Sequence, residues 1–151
     1  KLGVHATIIM PEDAPQAKLE NTSALGADII TYDRMSGSRE KLAADFAEKT
    51  GAVVVPSFDD PWIVEGQGSC GLEIREQMLA QVGSVPDQII VCCGGGGLAS
   101  GTALANPDAR MIVVEPEGWD DMKRSLELGT IVPVDKNPPA TECDALQTMQ
   151  V

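Results

Sequence analysis

Ile89-Ile90-Val91-Cys92-Cys93-Gly94-Gly95-Gly96-Gly97-Leu98-Ala99-Ser100-Gly101 passes from an apolar strand through four glycines directly into the start of a helix. Glycine lacks a Cβ, so its backbone can approach a ligand closely and adopt positive φ. Consecutive N–H groups can then converge on an anion at the positive end of the following helix. The plain alternative is a tight strand-to-helix turn, but such a turn needs one glycine rather than four.

Outward from this stretch, the 151 residues amount to one domain's worth of chain, with 43% apolar residues to build a core. Eleven Lys and Arg against 23 Asp and Glu give a net charge of -12, which repels phosphate backbones and anionic membrane surfaces. Nucleic acid is a poor partner for such a surface. Aromatic residues are only 3%, so stacking platforms for bases are scarce as well. Cys70, Cys92, Cys93 and Cys143 lack the spacing of a disulfide scaffold, and reduced, mostly buried thiols are expected. Neither a membrane-spanning apolar run nor a basic-plus-apolar leader is visible, so a soluble cytoplasmic protein is the expectation.

Periodicity predicts an alternation of strands and helices. Ala6 to Met10 reads as a strand closed by Pro11, then a helix with Pro15 in its first turn ending at Gly26. Asp28 to Tyr32 is a second strand, and Ser38 is the N-cap of a helix that Gly51 ends. Ala52 to Val55 is expected as a third strand, followed by the turn-rich Ser57-Phe58-Asp59-Asp60-Pro61 loop. Gly66-Gln67-Gly68-Ser69 leads into a helix carrying Leu72, Leu79 and Val82 and stopped by Gly83. Gln88 to Cys93 is strand four, Met111 to Val114 strand five, and Asp120 to Leu128 a last helix before a loop-like tail. The pattern implies an α/β fold, a parallel sheet with flanking helices, because each crossover has room for a helix. Ligands in such sheets bind beyond the carboxyl ends of strands, where the glycines sit.

The glycine loop supports two readings. Gly94, Gly96 and Ala99 satisfy the dinucleotide fingerprint, with Glu115 near the place of its ribose-binding acid; a nicotinamide-dependent oxidoreductase is therefore one alternative. Four consecutive glycines exceed what that fingerprint needs, and Pro116 after the acid is unexplained by it.

The other reading is a resemblance. Val91 to Gly101 resembles the phosphate-binding loop of the pyridoxal-phosphate enzymes of the threonine and serine dehydratase group, which includes serine racemase. Met10-Pro11 with Lys18-Leu19-Glu20 and Leu25-Gly26-Ala27 is similar to that family's small-domain strand and helix. Phe58-Asp59-Asp60-Pro61 with Gly66-Gln67-Gly68-Ser69, and Val114-Glu115-Pro116, match further segments in the same order. The resemblance implies a tryptophan-synthase-beta-like fold, here incomplete, with residues 1–51 in a smaller domain and 52–151 in a larger cofactor-binding one. It implies pyridoxal 5'-phosphate as cofactor, its phosphate held by the N–H groups of Gly94, Gly95, Gly96, Gly97 and Leu98. A phosphate needs several converging donors, and the dipole of the following helix adds to them.

Glu115-Pro116-Glu117-Gly118-Trp119-Asp120-Asp121 is a second constellation. The carboxylates of Glu115 and Asp121 with the Trp119 carbonyl would give three hard oxygen ligands suited to Mg²⁺ or Ca²⁺. The resembled dehydratases have a divalent site of matching pattern. The bland alternative is that Asp120 and Asp121 only charge a helix N-terminus. His5 has no ligand-spaced partner and receives no role.

The family's Schiff-base lysine motif and its Asn loop have no counterpart among Lys1, Lys18, Lys41, Lys49, Lys123 or Lys136. No residue of this chain is therefore assigned as catalytic, and the chain resembles the middle of a longer enzyme, inactive alone. From Leu98 to Asn106 the helix spans only about 13 Å at a rise of about 1.5 Å per residue, shorter than the family's. Either the helix is truncated or residues are absent there. The expectation is a fragment of an ammonia-lyase that converts a hydroxy amino acid such as threonine, serine or 3-hydroxyaspartate to a 2-keto acid and ammonia by β-elimination, in a homodimeric full-length enzyme. Racemisation stays open, and a folded, non-catalytic phosphate-binding module is the third alternative.

Overall fold

The computed structural model describes residues 3–34 and 37–149, and these fall into two compact units that divide between Val55 and Pro56.

In the first unit, β1 (Thr7–Pro11) pairs in parallel with β2 (Asp28–Tyr32), Thr7 opposite Asp28 and Pro11 opposite Tyr32. The crossover is α1 (Gln16–Ala24), preceded by Pro15 and followed by Gly26 at φ +87. A second helix, α2 (Arg39–Thr50), starts where the Ser38 side chain accepts the Lys41 N–H at 3.2 Å. Gly51, in the left-handed conformation, ends it by donating to Ala47. The expected strand over Ala52 to Val55 is not formed: these residues join no ladder among the described residues, and Val53 and Val55 are exposed. Their β-branched composition favours a strand only when a neighbouring strand accepts the ladder.

The second unit opens with α3 (Pro61–Val82), longer than the sequence suggests. Asp60 caps it, its carboxylate accepting the N–H groups of Trp62 and Ile63, and Pro61 occupies the first turn. The two glycines of Gly66-Gln67-Gly68 conceal this start, because they read as a break and stand inside the helix. Then come β3 (Gln88–Cys92), α4 (Gly97–Ala105), β4 (Arg110–Val114) and α5 (Asp121–Leu128), which Gly129 closes. Strands β3 and β4 are parallel, Gln88 opposite Arg110 and Cys92 opposite Val114. Among the described residues of the tail, Asp144–Leu146 form a 3-10 turn, and the Val134 N–H donates to the Met149 carbonyl at 2.9 Å.

Helices α3 and α4 approach closely because their facing positions are small. A Cβ on Gly101 would lie 2.5 Å from both the Gly68 nitrogen and the Val64 carbonyl. At the end of α4, buried Asn106 donates its amide to the Gly71 carbonyl at 2.9 Å and to the Thr102 carbonyl at 3.1 Å. The helix is thus short, as the residue count implies, and Asn106 closes it against α3. Ile89, Cys93, Ala99, Trp119 and Val134 form the buried apolar core of this unit. No described helix is long and apolar enough to cross a membrane.

Candidate functional site

The glycine loop leaves β3 just after Cys93, whose N–H donates to the Val114 carbonyl at 2.9 Å as the last rung between β3 and β4. Gly96, at φ +85, turns the chain into α4 with a conformation that side-chain-bearing residues rarely adopt. The first helical bond runs from Ser100 N–H to the Gly96 carbonyl at 2.8 Å. Helix geometry therefore leaves the N–H groups of Gly97, Leu98 and Ala99 without an intrahelical acceptor. No side chain caps this terminus, although Gly96, Gly97 and Ala99 are buried. A buried, uncapped helix end following bare glycine backbone is the form of an anion site.

Every glycine of the loop is hemmed in. The Phe58 ring fills the space that a side chain on Gly95 would need, and the Phe58 Cβ lies 3.3 Å from where a Cβ on Gly97 would stand. A Cβ on Gly94 would come within 2.9 Å of the Thr148 hydroxyl and 3.3 Å of the Ala145 carbonyl. At Gly96 the obstacle is the Met122 methyl at 2.8 Å. Phe58 is visible in the sequence as an aromatic in a polar turn, but Met122 and Thr148 carry no sequence signal for this place.

Behind the loop, Cys93 is 2% exposed and its thiol donates to the Gly94 carbonyl at 3.3 Å. Burial pushes its pKa up to about 11, and the nearby carboxylates of Glu115 and Asp121 push the same way, against the Gly96 N–H. The expectation of mostly buried thiols fails for the other three: Cys70, Cys92 and Cys143 are free and exposed. Adjacent strand residues face opposite sides, which separates Cys92 from Cys93.

Glu115 and Asp121 thus both bear on the Cys93 thiol, but Glu115 has a structural task. Its two oxygens accept the N–H groups of Met122 at 2.9 Å and Lys123 at 3.0 Å, so it caps α5 from outside the helix. Asp121 is buried at the helix start. Trp119 is buried in a turn where Gly118 takes φ +76 and the Trp119 N–H donates to Pro116; its indole donates to the Pro139 carbonyl at 2.9 Å. Trp62, by contrast, is exposed. Among the described residues no group of three or more His, Cys, Asp or Glu side chains forms a metal cluster.

The family model for pyridoxal-phosphate dependent enzymes matches residues 1–150. The chain belongs to the pyridoxal-phosphate dependent enzyme family. Serine racemase of Schizosaccharomyces pombe is 41% identical, covering 99% of this chain and 46% of that protein. L-threo-3-hydroxyaspartate ammonia-lyase of a Pseudomonas species is also 41% identical over the same shares. Among solved structures, the threonine deaminase of T.th. superposes with a TM-score of 0.78 at 34% identity, covering 99% of this chain and 47% of that one. The chain thus spans less than half the length of these pyridoxal-phosphate enzymes. The nicotinamide alternative finds no support among these relatives.

Proposed function

We propose that the N–H groups of Gly94, Gly95, Gly96, Gly97 and Leu98 hold the phosphate of pyridoxal 5'-phosphate, in a protein that acts as an ammonia-lyase on a 3-hydroxy amino acid. The observation that carries the reading is the buried, uncapped start of α4, which follows four glycines walled so closely that backbone alone can meet a ligand. When bound, the cofactor supplies an electron sink for charge developing at the substrate Cα. This chain's part is to grip the phosphate and to fix its position. Relatives named for threonine, serine and 3-hydroxyaspartate chemistry point to a small hydroxy amino acid as substrate, released as a 2-keto acid and ammonia.

On this reading no lysine of the chain forms the covalent link to the cofactor, and the chain alone is inactive. Residues 1–51 belong to a smaller domain and 52–151 to the larger one. The whole protein is a cytoplasmic homodimer; the free, exposed thiols suit a reducing compartment, and exposed Leu72, Leu79 and Val82 on α3 suit a covered surface. A divalent ion, Mg²⁺ or Ca²⁺, bound by Glu115, the Trp119 carbonyl and Asp121 completes the proposal. Its support is that two carboxylates, one of them buried, bear on the same thiol, an accumulation of negative charge that a cation would offset.

The test is to incubate the full-length protein with pyridoxal phosphate and serine, threonine or 3-hydroxyaspartate, measuring 2-keto acid and ammonia. Equal release of both from one of the three is expected, with none from this chain alone. Inversion at Cα without keto-acid release would overturn the lyase reading.

A further inference from the structure

We propose that Cys93 is a positioning residue for the cofactor phosphate: its buried thiol holds the Gly94–Gly95 peptide in the one orientation that turns the Gly95 N–H toward the ligand. The loop has a conformational weakness at this peptide. A peptide between two glycines has the least steric resistance to flipping, because neither flanking residue has a Cβ. A flipped peptide would present a carbonyl oxygen where an anion needs a donor. The Cys93 thiol lies behind the loop and donates to the Gly94 carbonyl at 3.3 Å. Because the peptide unit is planar and trans, a carbonyl drawn inward sends the N–H of the next residue outward. Cys93 is itself fixed, by its N–H bond to Val114 at 2.9 Å and by burial to 2% exposure. The anchor is therefore more rigid than the loop it holds.

This rests on the reading of the loop as a phosphate cradle, and the test separates the two. In the full-length apo-protein, pyridoxal phosphate and pyridoxal are titrated against wild type, Cys93→Val and Cys93→Ser, with the thermal midpoint of each. Valine fills the space without a donor, and serine restores one. The weak hydrogen bond predicts that Cys93→Val loosens pyridoxal phosphate about five-fold. Pyridoxal affinity should stay unchanged, and Cys93→Ser should return to within about two-fold of wild type. Equal affinity of Cys93→Val and wild type for pyridoxal phosphate would overturn the inference. So would equal losses for the two ligands, which indicate a general structural role. If wild type shows no preference for the phosphorylated ligand, the cradle and the role of Cys93 both fall.

Discussion

The Phe58 ring lies against Gly95, in the space that any side chain at position 95 would occupy. Gly95 is therefore required by its neighbour as well as by any ligand. Gly95→Ala should destabilise the second unit by overpacking, about 1–3 kcal/mol. It should also weaken pyridoxal-phosphate binding. In a Phe58→Ala background the same change should cost much less, so a double-mutant cycle by denaturant titration checks the coupling; additive effects would refute it.

The approach of α3 to α4 makes a second, opposed pair of expectations. Gly101 faces backbone atoms of α3 with no room for a methyl group, whereas Gly66 on α3 faces open space. Gly101→Ala should force the helices apart and lower the thermal midpoint. Gly66→Ala should raise stability by about 0.5–1 kcal/mol, since alanine loses less backbone entropy in a helix interior.

Glu115 carries a cap and a proposed ligand at once. Glu115→Gln keeps one acceptor for two N–H groups and removes the charge at the start of α5, so it should cost about 1 kcal/mol without any metal present. Millimolar Mg²⁺ or Ca²⁺ should raise the wild-type melting midpoint and leave Asp121→Ala unmoved. A midpoint unchanged by either ion in wild type would remove the metal from the account.

Cys93 should be the one thiol shielded from reagent. Its pKa, about 11 against an ordinary 9.0, is raised, so the folded state favours the protonated form. The stability it contributes is fully present below about pH 9 and is lost as the pH rises through about 11. Thiol labelling of the native chain at pH 8 should modify Cys70, Cys92 and Cys143 and spare Cys93 until denaturant is added.

The loop, the parallel strand pairs and most helix ends are legible in the sequence, because they depend on local signals: glycine at positive φ, Ser38 as a cap, short apolar runs before proline. What depends on neighbours is not. Ala52 to Val55 has strand composition but no partner strand, and Gly66 and Gly68 look like a break but lie within α3, with Gly68 packed close against α4. Phe58, Met122 and Thr148 reach the loop through tertiary structure alone, from three different segments. The capping role of Glu115 is hidden as well, because its distance from α5 along the sequence does not disclose that both oxygens accept that helix's first N–H groups.

Whether the loop grips phosphate through its backbone can be read by amide nuclear magnetic resonance of the ¹⁵N-labelled protein titrated with inorganic phosphate. Saturable shifts concentrated on the N–H groups of Gly94 to Leu98, abolished by Gly95→Ala, are expected. Shifts confined to exposed lysine-bearing segments, with the glycine amides unmoved, would contradict it.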